Sequence, residues 1–291
     1  MAGTAAASTK RSKLTPYLLI LPAVAYLLVF FVYPIVTLLK TSLSVNTGSV
    51  FLPTLEFNWQ WSNYHAALTD YQPQIIRSFE YSLICTALCL VMAYPLAYVI
   101  AFKAGRWKNV LLGLVILPFF VTFLVRTIAW KTILSDGGFV VNSLQAMGIL
   151  SPHGRVLSTP WAVIGGLTYN FLPFMVLPIY VSLEKIDLAL VEAARDLYSN
   201  SWRAFRKVVL PLSLPGVAAG SLLVFIPASG DFINADYLGS TQTTMIGTVI
   251  QKQFLIVKDY PAAAALSFVL MAIILVLVIV YGKLLGTEDL V

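Results

Sequence analysis

The chain has 291 residues, 59 % of them hydrophobic and only 11 % charged, with a formal net charge of +6. Soluble proteins are about 25 % charged, and so few polar side chains could not cover a water-facing surface of this size. Composition excludes most soluble enzymes and transcription factors and reads as an integral membrane protein, whose Lys and Arg report sidedness rather than nucleic acid.

Crossing about 30 Å of hydrocarbon at 1.5 Å per residue takes about 20 apolar residues. Six runs qualify: 17–39, 81–102, 110–134, 161–183, 208–229 and 261–285. The first is too long for a signal-peptide core, and no small-residue cleavage site follows it, so it reads as a retained helix. The expected organisation is a segment 1–16, a six-helix domain 17–285 and a tail 286–291, with both termini on the same side.

Charge assigns that side. Twelve Lys and Arg flank the spans there (Lys10, Arg11, Lys13, Lys103, Arg106, Lys108, Lys185, Arg195, Arg203, Arg206, Lys207 and Lys283). Lys40, Arg77, Arg155, Lys252 and Lys258 make five on the other. By the positive-inside rule the termini are expected in the cytoplasm. On the outer side, residues 58–68 hold Trp59, Trp61 and Tyr64, an aromatic group suited to the interface, and 140–147 and 243–256 have room for short interfacial helices.

Cys85 and Cys89 lie four apart in an apolar run, on one helix face, where packing is the simpler role. His65 and His153 fall in loop-like segments as plain surface residues. No cluster with metal-ligand spacing occurs, and no G-x-x-x-x-G-K-[ST] phosphate loop, H-E-x-x-H or Ser–His pairing is legible. The chain reads as a transport subunit, not an enzyme.

The loop between spans four and five is distinct. Its residues 184–207 mix charge with helix formers, and Asp187 is placed to cap a helix. Leu190, Ala193, Ala194 and Leu197 share one face, with Arg195 and Asp196 off it. Pro211 and Pro215 are expected at the entry to span five. On composition this is equally an interfacial helix or a docking helix.

Glu192-Ala193-Ala194, a turn position at Tyr198, and Val208-Val209-Leu210-Pro211 together resemble the EAA loop of ABC importer permeases. The family usually has glycine where Tyr198 stands. The rest of the chain is similar to the spermidine/putrescine importer permeases through Arg77–Ser82, Ala93–Tyr98, Leu117–Phe120 with Arg126-Thr127, Tyr169–Met175 and Phe225–Phe232. The resemblance implies a six-transmembrane-helix bundle, the type I ABC importer permease fold, in a bacterial inner membrane. It implies that Leu190, Glu192, Ala193, Ala194, Asp196, Leu197, Leu210 and Pro211 form a coupling element docking in an ATPase subunit. The implied partners are a dimer of ABC ATPase subunits, which bind the ATP and Mg, a second related permease, an extracytoplasmic polyamine-binding protein and membrane lipid, with no nucleic acid. A permease for a sugar, sulfate or iron is the alternative. A gradient-driven transporter would need several mid-depth ionisable residues that the spans lack, and a membrane scaffold leaves the EAA-like loop unexplained.

Charge at membrane depth costs about 2.5–3.5 kcal/mol on insertion scales, so each case needs a reason. Arg126 falls sixteen residues into span three, about 24 Å along a straight helix, and a structural pairing is expected for it because an arginine repels a cationic cargo. Tyr169, Asn170 and Phe171, beside Pro173, are candidates for the pathway, with packing an equal reading. Pro227 and Gly230 are expected to interrupt span five, leaving Asp231 unpaired to receive a cation. Asp236 and Tyr237 complete the candidate pathway residues, although an outer loop would hold them equally well.

Overall fold

The computed structural model describes residues 15–48, 54–198 and 200–284. The segment 1–14, most of the proposed N-terminal piece, and the tail 286–291 lie outside the described residues.

Among the described residues, five helices are long and apolar enough to cross a bilayer: Ile20–Ser42, Gln72–Phe102, Pro160–Glu184, Trp202–Ser229 and Tyr260–Lys283. The first comprises α1 (Thr15–Leu27), a wide π turn and α2 (Tyr33–Ser42). None of its apolar window is buried, although α2 packs along the last helix, Tyr260–Leu284. A small antiparallel hairpin, β1 (Ser44–Asn46) and β2 (Leu55–Phe57), pairs Val45 with Glu56. Then come α3 (Ser62–Thr69) and α4 (Gln72–Phe102). His65 stands on α3, so it is helical and exposed, not in a loop.

Span three departs from expectation. It is not one helix but two segments, Gly105–Phe120 and Phe123–Ile133, meeting at 92°. These contain α5 (Lys108–Ile116) and α6 (Phe123–Ile133), separated by a tight turn at Leu117–Phe120. Pro118 in that turn has no N–H to continue the helical ladder, and Val121 and Thr122 are extended, with ψ of 133° and 146°. The 24 Å depth assigned to Arg126 assumed a straight helix and is withdrawn.

After α7 (Phe139–Ala146) the chain enters α8 (Pro160–Glu184), the centre of the bundle. Thr159 caps it, accepting the Ala162 amide at 3.3 Å. Two thirds of its apolar window (67 %) is inside. One face of α4, carrying Cys85, Cys89, Ala93, Ala97 and Ile100, packs on Leu167, Met175, Ile179 and Leu183 of α8, all fully buried. Both cysteines are packing residues, and Cys89 Sγ donates to the Thr168 carbonyl at 3.5 Å.

The loop helix α9 (Leu188–Tyr198) is followed by α10 (Ser201–Ala204), a π turn at Phe205–Val209, and α11 (Leu210–Ser229). The fifth span thus begins at Trp202, six residues before the apolar run, and Pro211 stands in the first turn of α11, just after the π turn. Small residues let α11 close on α8. A Cβ at Gly216 would sit 2.5 Å from the Pro178 carbonyl, and one at Gly220 2.9 Å from Met175 Sδ. This is the small-xxx-small spacing of close membrane-helix contacts. The described residues end with α12 (Ile233–Leu238), α13 (Ile246–Lys252), a third π turn and α14 (Tyr260–Leu284). Ala67, Ile75, Ile246, Val249 and Leu266 form a separate apolar cluster joining α3, α4, α13 and α14.

Candidate functional site

Two regions of α8 and α11 carry the candidate residues. At one end is the loop. Asp187 Oδ1 accepts the Ala189 amide at 2.9 Å, the helix start its sequence suggested. Leu190 is 53 % and Leu197 76 % exposed, and Glu192, Ala193 and Asp196 are exposed with them. An amphipathic helix normally hides its leucines, so α9 presents an apolar ridge with no cover among the described residues. The helix runs through Tyr198 without a glycine. Asn200 restarts the chain, its Oδ1 accepting the Trp202 amide at 2.9 Å and its carbonyl the Ala204 amide at 3.1 Å. Leu210 is half-buried and Pro211 exposed at the start of α11. A groove of about 810 Å³ between α8 and α11 opens toward Leu190, lined by Phe174, Leu177, Val181, Leu212 and Leu223.

Toward the other end, four elements meet. α11 continues past Pro227 to Ser229, so proline does not break it; the helix ends at Gly230 and restarts as α12. Asp231 sits in that joint, only 7 % exposed. It is not unpaired. Its Oδ1 accepts the Asn234 amide at 2.8 Å and its Oδ2 the Asn234 Nδ2 at 3.2 Å. Asn234 Oδ1 in turn accepts Asn170 Nδ2 of α8 at 3.0 Å and Thr127 Oγ1 of α6 at 3.3 Å. A third contact, Asn170 Nδ2 to Thr127 Oγ1 at 3.3 Å, closes the triangle. Buried polar groups cost free energy unless bonded, and this network ties α6, α8 and α12 to the end of α11. Asn234 and Thr127 were not singled out as site residues. An aspartate three residues ahead of an amide at a helix start was the available signal.

Arg126, next to Thr127, does not pair with Asp231 or with any other carboxylate among the described residues. It is 8 % exposed, with Nε and Nη1 buried and unbonded and the guanidinium 5.5 Å from the Phe123 ring. The remaining candidates separate. Phe171 is buried 5.8 Å from Phe123 and serves packing. Tyr169 is half-open, edge-on to Trp130 at 5.3 Å, and borders a second groove with Pro173. Asp236 and Tyr237 lie on α12, not in a loop. Each faces a lysine of the same chain: Lys252 Nζ lies 3.3 Å from Asp236, and Lys131 Nζ 5.6 Å from the Tyr237 ring centroid. Carboxylate and aromatic face are the two groups that attract an ammonium. Among the described residues no three His, Cys, Asp or Glu side chains group as a metal site.

Helical spans round a central α8, an exposed amphipathic loop helix at one end and a buried polar junction toward the other define a membrane transport component. The model for the inner membrane component of binding-protein-dependent transport systems matches residues 93–285, and the chain belongs to that family. It is 38 % identical over 260 residues to the spermidine/putrescine transport system permease protein PotB of Haemophilus influenzae, covering 89 % of this chain and 90 % of that protein. The PotB of Escherichia coli K12 is 36 % identical over 266 residues, 91 % of this chain and 96 % of the relative. In fold it resembles a bacterial ABC transporter involved in alginate import, with TM-score 0.67 at 20 % identity over 94 % of this chain and 95 % of the other.

Proposed function

We propose that this permease is one of two related membrane subunits of an ATP-driven importer and forms half of the pathway for polyamines. The observation that carries the reading is α9, an exposed helix with an uncovered Leu190–Leu197 ridge where the relatives of this family have their coupling loop. An ATPase dimer receives α9 on the cytoplasmic side, which the excess of Lys and Arg assigns to both termini. ATP and Mg belong to that dimer. A binding protein delivers cargo from the other side. Closure of the ATPase dimer is passed through α9 and the Phe205–Val209 turn to α11, rocking the bundles between two states.

The identity to PotB proteins supports polyamine as cargo. So does the chemistry near Asp231, where Asp236 and Tyr237 already hold lysine ammonium groups that a polyamine amine can replace. The direct test is ATPase stimulation of the reconstituted complex across polyamines, sugars and sulfate. Stimulation by a sugar or sulfate but by no polyamine overturns the cargo assignment.

Docking is tested separately. Ala193→Trp overfills the α9 contact and Glu192→Ala removes a polar anchor. Transport is expected to fall at least ten-fold in the tryptophan variant, with normal membrane insertion and less co-purified ATPase. Normal ATPase recovery and uptake in both variants would refute the docking role.

A further inference from the structure

Arg126 is a buried charge that neither docking nor the Asp231 network uses. It is 8 % exposed, its Nε and Nη1 are buried without hydrogen-bond partners, and it forms no ion pair among the described residues. Arginine keeps its charge even when buried, and a buried cation held for structure alone has its hydrogen bonds filled. The surroundings compensate little. The face of Phe123, 5.5 Å from the guanidinium, offsets only part of the lost hydration.

The helix that carries Arg126 opposes it as well. Arg126 is the fourth residue of α6, and helical side chains lean toward the N-terminal end. That end bears partial positive charge, and α6 has neither an acidic residue in its first turn nor a side-chain cap from Thr122. Guanidinium and helix end therefore add to one positive field, in a setting where water screens it poorly.

This field lies at the polar junction. Thr127, next along α6, donates to Asn234 Oδ1 at 3.3 Å, and Asn234 bonds both oxygens of Asp231. One neutral side chain, Asn234, links the Asp231 carboxylate to the turn of α6 that holds Arg126. An ion pair would cancel the two charges. Kept apart, they act on an arriving cation in opposite senses, the carboxylate drawing it in and the guanidinium limiting its hold. Passage needs binding strong enough to enter and weak enough to leave. The opposing effect grows with each ammonium group the cargo brings.

We propose that Arg126 is a specificity-determining residue of the pathway, a fixed positive charge that penalises cargo in proportion to its charge and holds back a triamine more than a diamine. This role rests on the polyamine reading above and deepens it.

The assembled importer is reconstituted in proteoliposomes and given putrescine and spermidine together, each with its own isotope. The ratio of the two uptakes reports relative kcat/KM, and the binding protein is the same throughout, so its preference cancels between variants. Arg126→Gln is expected to raise the spermidine-to-putrescine ratio at least about three-fold. Arg126→Lys, which keeps the charge, is expected to hold the parent ratio. A purely structural role lowers uptake of both amines alike and leaves the ratio unmoved, so an unchanged ratio in Arg126→Gln overturns this role alone. Should Arg126→Gln fail to assemble, Arg126→Met carries the same measurement. Failure of both neutral variants with normal assembly of Arg126→Lys shows that the charge pairs with a carboxylate of another subunit, and overturns the proposal. Uptake of neither amine by the unaltered importer overturns the polyamine reading and this role with it.

Discussion

Gly247→Ala is expected to abolish most folded protein, although it adds one methyl group. Gly247 lies on α13, and a Cβ there would stand 2.3 Å from the Gly230 carbonyl oxygen, 2.8 Å from its carbon and 2.9 Å from the Asp231 carbonyl oxygen. All three are main-chain atoms, so no side chain can rotate away. Overpacking a core costs about 1–3 kcal/mol when side chains can adjust, and here α13 must lift off the joint instead. That joint is held from several directions. Ile246 donates its amide to Ser78 Oγ at 2.7 Å, and Arg77 Nη1 reaches the Thr244 carbonyl at 2.9 Å.

Lifting α13 therefore loosens α4 and the Asp231 turn together. Gly165→Ala is the matched control. It stands on α8 with nothing within 4 Å of its Cβ, and alanine gains up to about 1 kcal/mol in a helix. A Cβ on its neighbour Gly166 would stand 2.8 Å from Asn234 Oδ1 and crowd Leu238 Cδ1, so Gly166→Ala is expected to fall with Gly247→Ala. Thermal melts of detergent-purified protein decide it: a Gly247→Ala midpoint equal to that of the parent chain defeats the close-approach argument.

The sequence carried the spans because burial in lipid demands apolarity, and apolarity is visible residue by residue. The helix 188–198 was legible for two local reasons, its 3.6-residue apolar spacing and the Asp187 cap. What failed were statements resting on backbone direction. Residues 110–134 read as one apolar run despite Arg126 and Lys131, so nothing but Pro118 hints at a 92° turn, and the straight-helix depth of Arg126 does not hold. The apolar run also starts the fifth span late: residues 202–207 are polar and basic, yet the helix begins at Trp202. Asp231 was seen only as a charge needing a counter-charge. Its partners, the amide and side chain of Asn234, are neutral and three residues away, which a search for opposite charges passes over. The β1–β2 hairpin is too short for any alternation to show.

The Asp231 geometry divides two roles that the sequence could not separate. Both carboxylate oxygens are committed to Asn234, so the residue starts α12 as a cap whether or not it also meets cargo. Asp231→Asn and Asp231→Ser both keep a cap acceptor, since aspartate, asparagine and serine cap comparably, and both remove the charge. If the carboxylate receives the polyamine, a hydrogen bond to a charged group, about 1.5–3 kcal/mol, is lost. Uptake per assembled complex then falls by one to two orders of magnitude in both variants. If Asp231 is a cap alone, uptake per complex stays normal, and only the yield moves, lower in asparagine, whose amide cannot serve both donors of Asn234. Arg126→Gln tests whether the two buried charges are linked. Because no ion pair joins Arg126 to Asp231, it is expected to rescue neither variant, and restored yield in the Arg126→Gln/Asp231→Asn combination would show that the two charges do meet in another state of the transport cycle. Normal uptake in both single variants removes Asp231 from the pathway and leaves Asp236 and Tyr237, with their resident lysines, as the groups that meet the arriving cation.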